Sequence, residues 1–379
     1  MKILLFSAHF PPYGGGGEII AGHLVAGLVE RGHQVLVVTS HGALDLPDCE
    51  DFHGAMVHRF PFWHALLRGD LDAIVAGRRW LADAKRVFRP DLVHLNTISG
   101  VDIFHWRTLD AWAVPTLLTL QGPLDKPFCR PLRPDTVFDH ALRRADALVA
   151  CSAAALAELS EVLPSAAERC RLVYNGVPVP ARAPSPPSVT PPRLLVLGRL
   201  VPGKGVDIAI SAFARVRAAF PGARLVVVGD GPEQERLRRQ ARDLAVGDAV
   251  DFPGRVAHAE VPGLLDSASL VLMPSHVEAF GLVALEAALM QRPVVASRVG
   301  GLLEVVADGL TGLLVPSRDA GAMAEAAIAL LRDEARCRRL GLAARARAQT
   351  LFTYERYVDG YEEQYSLLVR RAGRGGDEA

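Results

Sequence analysis

The chain has 379 residues, half of them hydrophobic, which is enough for two ordinary domains with sizeable cores. Lys+Arg and Asp+Glu both number 42, so the net charge is zero and nothing draws the whole molecule to nucleic acid or an acidic membrane. The five cysteines (Cys49, Cys129, Cys151, Cys170 and Cys337) are far apart and form no C-x-x-C pair. They suggest neither a disulfide framework nor a zinc site, but reduced thiols in a cytoplasmic protein.

Met1–Phe6 is too short for the apolar core of a signal sequence and reads as a buried first strand. No stretch approaches the roughly 18 apolar residues of a membrane span. The strands expected, beginning with that first one, are Ile3–Ser7, Gln34–Thr39, Leu92–Leu95, Thr116–Leu120, Ala147–Ala150 and Arg171–Tyr174. Helical patterns lie between them at Glu18–Arg31, Leu71–Phe88, Pro134–Arg144 and Ser152–Glu161. Pro178–Arg193 is too rich in proline for a helix or central strand and reads as an interdomain linker, with its core at 181–193. Alternation then restarts. Strands are expected at Leu194–Gly198, Arg224–Val228, Val250–Phe252, Leu270–Met273 and Pro293–Ala296, and helices at Val206–Phe220, Glu233–Leu244, Gly281–Met290 and Ala320–Arg332. The pattern implies an α/β protein of two tandem doubly wound, Rossmann-like domains, 1–180 and 194–352, facing across a cleft. Ligands of such sheets bind beyond the carboxyl ends of the strands.

Two segments there carry chemistry. Gly198-Arg199-Leu200-Val201-Pro202-Gly203-Lys204-Gly205 places two cations on a glycine-rich strand-to-helix loop, as a diphosphate requires. An ordinary turn with surface cations would look similar. Pro274–Glu286 leads from a strand into a helix beginning near Phe280–Leu282, whose free N–H groups suit a phosphate. Glu278 precedes that helix, where a carboxylate is commonly a simple capping charge. Glu286 lies among Ala and Leu, where a carboxylate needs donors such as two ribose hydroxyls.

With these segments the sequence closely resembles the family-4 retaining glycosyltransferases of the GT-B fold, the group that includes glycogen synthases and phosphatidylinositol mannosyltransferases. The likeness rests on Val228-Gly229-Asp230-Gly231-Pro232, Glu278-x7-Glu286, Arg292–Ser297, Gly300–Val306 and Gly309–Pro316. In the first half it rests on Pro11-Pro12, Gly15–Glu18, Arg31–Val35 and Tyr174–Val177. The resemblance implies a nucleoside-diphosphate sugar donor (UDP, GDP or related) and no divalent metal or other cofactor. Arg199 and Lys204 would hold the diphosphate, Glu278 the sugar hydroxyls and Glu286 the ribose. Amides of Phe280, Gly281 and Leu282 would lie nearby, and the loop Gly15, Gly16, Gly17 would close over the diphosphate. Arg199, Lys204 and Glu278 are thus the expected catalytic residues. Front-face transfer, in which the leaving phosphate helps deprotonate the acceptor, needs no dedicated nucleophile.

Several relatives carry a histidine near the donor sugar where this chain has Gln121, and a His-x-His-like element is reduced to His94-Leu95-Asn96. Glutamine can hydrogen-bond a hydroxyl but cannot shuttle a proton. Gln291 stands where a glycine is usual. The unknown acceptor is expected near Gly14–Glu18, Asn96–Asp102 and Gln121–Arg133, with Asn96 and Gln121 in the sugar pocket. Phe60–Arg68, followed by Arg78, Arg79, Lys85 and Arg86, could serve peripheral membrane association or form a flap with one solvated helix face. Tyr354, Tyr357, Val358, Tyr361, Tyr365 and Leu368 read as the core-facing stripe of a final helix, about 353–372, that packs back on the first domain. The expected function is retaining glycosyl transfer. The alternatives are a nucleotide-sugar epimerase on the same fold, or a non-catalytic nucleotide-sugar-binding protein.

Overall fold

The computed structural model describes residues 1–42, 44–122 and 136–376. Residues 123–133 of the expected acceptor region, the start of the helix expected at Pro134, and Cys129 lie outside them. Met1–Gly176 and Tyr354–Ala379 form one compact unit, and Val177–Thr353 a second.

The strands of the first unit are β1 (Lys2–Ser7), β2 (Gln34–Ser40), β3 (Cys49–Phe52), β4 (Ala55–Phe60), β5 (Leu92–Leu95), β6 (Thr116–Leu120), β7 (Ala147–Ala150) and β8 (Cys170–Leu172). They form one sheet in the order β3-β4-β2-β1-β5-β6-β7-β8, parallel except for β3 against β4. β5 and β6 are buried at every position, because helices cover both faces of such a sheet. One core gathers Phe6, Val38, Leu95, Leu118, Leu148 and Phe62.

The second unit holds β9 (Arg193–Leu197), β10 (Arg224–Val228), β11 (Val250–Gly254), β12 (Leu270–Met273), β13 (Val294–Ser297) and β14 (Gly312–Val315), all parallel, in the order β11-β10-β9-β12-β13-β14. The chain leaves β9 to build one side and returns at β12 to build the other. The β9/β12 boundary is therefore the switch point where loops diverge and a ligand can enter.

Several elements differ from the sequence reading. The β3–β4 hairpin was not expected, because Cys49–Phe52 is short, polar and half-exposed at the sheet edge. Gly312–Val315 had no strand assigned, and Glu334–Leu351 no helix, although the latter buries Cys337, Leu340, Ala344 and Ala348 on one face. The proline-rich segment also behaves otherwise than a free connection. The fully buried Arg292 guanidinium donates to the Ser185 carbonyl at 2.7 Å and pairs with Asp266 at 2.8 Å. Asp266 also accepts from Arg182 and from the Ser185 amide, so residues around 182–185 are strapped to the second unit. Gln291 follows the helix Leu282–Leu289 with φ +56°, a left-handed conformation that glycine adopts without cost, which explains why glycine is usual there.

The Phe60–Lys85 region corrects one expectation. Lys85 does not join a basic outer face. It is fully buried, and its ammonium group donates to Thr108 Oγ1 at 2.9 Å and to the His105 and Thr108 carbonyls. Burial lowers its pKa to about 8. Phe62 is also fully buried, against Phe60 and Phe104. Trp63, Leu67, Leu71 and Val75 remain exposed, as do Arg68, Arg78 and Arg79.

The final helix, Tyr354–Gly376, belongs with the first unit and turns Tyr357, Tyr361, Tyr365 and Leu368 into its interior.

Candidate active site

The loops after β9 and β12 are neighbours because those strands pair. After β9 the chain makes a single turn, Pro202–Lys204, and Gly205 ends it with φ +61°. A Cβ on Gly205 would come within 2.2 Å of the Pro274 carbonyl oxygen, so only glycine allows the two loops to lie so close. The His276 amide donates to the Gly203 carbonyl at 2.9 Å and fastens them together. This contact sets the distance between two side chains far apart in sequence: Lys204 Nζ lies 2.6 Å from Glu278 Oε2. Ser275 Oγ donates to the same oxygen at 3.1 Å. The Glu278 backbone is held from the other side, where the Gly301 amide donates to its carbonyl at 3.0 Å. A Cβ on Gly300, at φ +47°, would lie 2.0 Å from that carbonyl oxygen.

Glu278 leads into the helix Leu282–Leu289, capped by Gly281 at φ +105° with no side-chain cap. Its first amides, around Leu282, have no intrahelical acceptors, and the helix dipole adds positive potential there. Phe280 is buried against Phe352 and anchors the turn. Glu286 lies one turn into this helix with 13% of its side chain exposed. Burial raises its pKa to about 7, and His258 Nδ1, whose own pKa burial lowers, lies 3.7 Å away. Arg199, beyond β9, is exposed and has no ion-pair partner among the described residues.

Of the expected residues, Lys204 and Glu278 are thus in contact, and Phe280, Gly281, Leu282 and Glu286 follow on the adjoining turn and helix. Arg199 is on the same loop as Lys204 without touching the pair. Sequence reasoning missed Ser275 and His258. Ser275 stands inside the quoted motif, whereas nothing in the sequence linked His258 to Glu286.

In the first unit, Gly15 is the extended N-cap of the helix Gly16–Glu30 and provides no side-chain cap. The Gly17 carbonyl accepts from Asn96 Nδ2 at 3.2 Å. Asn96 follows β5 and Gln121 follows β6, so both stand at the carboxyl edge of the sheet. Gln121 and Asn175 exchange two amide hydrogen bonds, of 3.3 Å and 3.0 Å.

Two tandem parallel-sheet units are the architecture of GT-B glycosyltransferases, and comparison with known proteins places the chain in that class. Residues 15–176 match the "Glycosyl transferase 4-like domain" family model, and residues 181–347 match "Glycosyl transferases group 1". The chain belongs to family 4 of the glycosyltransferases. It is 32% identical to a glycogen synthase of Mycobacterium tuberculosis, over 99% of this chain and 96% of the relative. It is also 32% identical to a D-inositol 3-phosphate glycosyltransferase of Nocardia farcinica, over 75% and 69%. Among solved structures, a sucrose-phosphate synthase from Thermosynechococcus elongatus superposes with a TM-score of 0.85 at 26% identity, covering 98% of this chain and 99% of the other. Among the described residues no helix is long and apolar enough to cross a membrane.

Proposed function

We propose that the protein moves a hexose-type sugar from a UDP-, GDP- or related nucleoside-diphosphate sugar to a hydroxyl of a saccharide, lipid or small-molecule acceptor, with retention of anomeric configuration. Besides the family, one observation carries this reading: the Lys204–Glu278 pair at 2.6 Å, at the sheet's switch point beside a helix N-terminus. In this reading Lys204 and Arg199 neutralise the departing diphosphate, with the amides of Phe280, Gly281 and Leu282 contributing dipoles. Such preorganised charge stabilises the transition state more than the ground state. Glu278 orients sugar hydroxyls while Ser275 and Lys204 hold its carboxylate. Glu286 accepts from the ribose hydroxyls, which supply the donors its burial denies it. Gly15, Gly16 and Gly17 are further proposed donor contacts. The C1–phosphate bond breaks, the acceptor oxygen bonds C1 on the same face, and its proton passes to the leaving phosphate oxygen. Because the chain itself supplies the cations, we propose that no divalent metal takes part.

The test is release of nucleoside diphosphate from a panel of UDP-, GDP-, ADP- and TDP-sugars, with and without EDTA. Glucose donors with glycogen as acceptor come first, since a relative spanning the whole chain bears the name glycogen synthase. EDTA-insensitive turnover of one donor, with the product's anomeric proton matching the donor's configuration, is the expected result. Binding without turnover under every condition would overturn the enzymatic reading, and an inverted product would overturn retention.

A second proposal concerns the membrane. Exposed Trp63, Leu67, Leu71 and Val75 lie on consecutive helices with Arg68, Arg78 and Arg79, which favours peripheral contact with an anionic bilayer. Pelleting with anionic vesicles at low salt, lost in a Leu67→Ser/Leu71→Ser variant, is expected. No pelleting at low salt would rule it out.

A further inference from the structure

The carboxyl edge of the first sheet contains buried polar groups that the proposed chemistry leaves unused. Asn96 is 1% exposed, its amide nitrogen is committed to Gly17, and its Oδ1 has no partner among the described residues. A buried carbonyl oxygen left unpaired is costly, so the arrangement makes sense if a ligand completes it. The ligand group must donate a hydrogen bond, which a hydroxyl does and a phosphate oxygen does not.

Gln121, at the end of the adjoining strand, is held by one partner and flanked by a second polar group. Asn175, itself 1% exposed, locks its carboxamide face by the reciprocal pair of hydrogen bonds. The Tyr361 hydroxyl is also close enough to Gln121 to interact with it electrostatically. Tyr361 is itself fixed, because its hydroxyl lies 2.9 Å from Thr119 Oγ1, which lies 2.8 Å from His94 Nε2. His94 Nδ1 then meets the Tyr365 hydroxyl at 2.8 Å. A buried hydrogen-bonded chain therefore runs from the final helix, through β5 and β6, and ends at the Tyr361 hydroxyl beside Gln121. Such a chain costs much if broken and little to maintain, and it leaves one orientation for its last member. The Gln121 oxygen accepts one bond from Asn175 and has capacity for a second.

We infer that Asn175 and Tyr361 are positioning residues, which hold Gln121 so that its carboxamide and that of Asn96 together read sugar hydroxyl groups at this edge. The inference rests on the proposed transferase reading and deepens it. The recognised chemistry is the neutral hydroxyl, whether of the donor sugar or of a saccharide acceptor.

The experiment uses the full chain and compares Asn175→Ala, Tyr361→Phe, Gln121→Leu, Asn96→Ala and the double variant Gln121→Leu/Asn175→Ala. For each, the affinity for free nucleoside diphosphate, the affinity for the nucleotide sugar that wild type turns over, and the acceptor KM are measured. Asn175→Ala and Tyr361→Phe are expected to lose about tenfold in kcat/KM, with free nucleoside diphosphate bound as by wild type. The double variant is expected to be no worse than Gln121→Leu, because Asn175 acts through Gln121. Weakened nucleotide-sugar binding assigns the hydroxyls to the donor, and a raised acceptor KM alone assigns them to the acceptor. Losses that multiply in the double variant, or wild-type kinetics in Asn175→Ala, would overturn the inference. So would a loss of nucleoside diphosphate binding in step with a lower Tm, which marks a structural role. A wild type that binds nucleotide sugar but turns over none fails the transferase reading instead. Variant effects on nucleotide-sugar affinity would still decide the present one.

Discussion

The carboxyl edges of the two sheets are built from the same strand–loop–helix geometry but with opposite electrostatics. In the second unit the edge is charged. Lys204 pairs with Glu278, Glu286 stands behind them, and glycines at 205 and 300 bring the backbones close enough to hold the set. In the first unit the part of the edge around Asn96 and Gln121 presents neutral amides, and the histidine beneath them is uncharged: burial lowers the His94 pKa to about 3. Charge suits a diphosphate, whose own charge grows during the reaction. Fixed neutral groups suit hydroxyls, which must be told apart by direction rather than by sign.

The largest effect expected from this contrast is at Lys204. Lys204→Ala should lower kcat about a hundredfold or more, since it removes a group that opposes developing charge. Its side chain is 31% exposed and Ser275 still holds Glu278, so Tm should move little. Gln121→Ala, at the neutral edge, should cost only about tenfold. Equal losses at the two positions would break the comparison.

Glu286 provides the next test. Its folded pKa, about 7, lies above the ordinary carboxylate value, so its contribution to stability is fully present below about pH 4.5 and is lost as pH rises through 7. Glu286→Gln should remove that slope, seen as a Tm difference between the two proteins that changes from pH 4.5 to 7.5. Donor KM in wild type should rise as pH falls below 7, when the carboxyl stops accepting, and should be flat in the variant.

His94 should behave in the opposite sense. A histidine kept neutral by burial costs stability as pH falls from about 6.5 towards 3, because only the unfolded chain takes up the proton. Tyr365→Phe, which removes the hydroxyl on His94 Nδ1, should shift stability by only about 1 kcal/mol in chemical denaturation.

The smallest effect is expected at the exposed Arg182 of the strap. Arg182→Ala should cost under about 1 kcal/mol, since its side chain is 57% exposed and Asp266 keeps Arg292. Arg292→Ala, by contrast, leaves a carboxylate only 7% exposed without its buried partner and should cost about 3 kcal/mol or more.

Much of this was legible before the fold was known. Leu92–Leu95, Thr116–Leu120 and Leu270–Met273 read as strands because short, mostly apolar runs between breakers have few other uses. Lys204, Glu278 and Glu286 stood out because charges beside glycines, or within an apolar helix, need an explanation. Cys49–Phe52 was missed because edge strands are short and carry polar residues. His258 was missed because its neighbour Glu286 is reached only through another loop.

By itself, then, the sequence determined the alternation of elements, the two-sheet class and the family, since each follows from local periodicity and ordered motifs. Only the tertiary structure decided which polar groups meet. It turned Lys85 inward, strapped the proline-rich segment through Arg292, joined Gln121 to Asn175, and tied Thr119 and His94 to the tyrosines of the final helix. Those contacts join residues distant in the chain, and a buried donor or acceptor takes whatever partner the packing of strands and helices brings within about 3 Å.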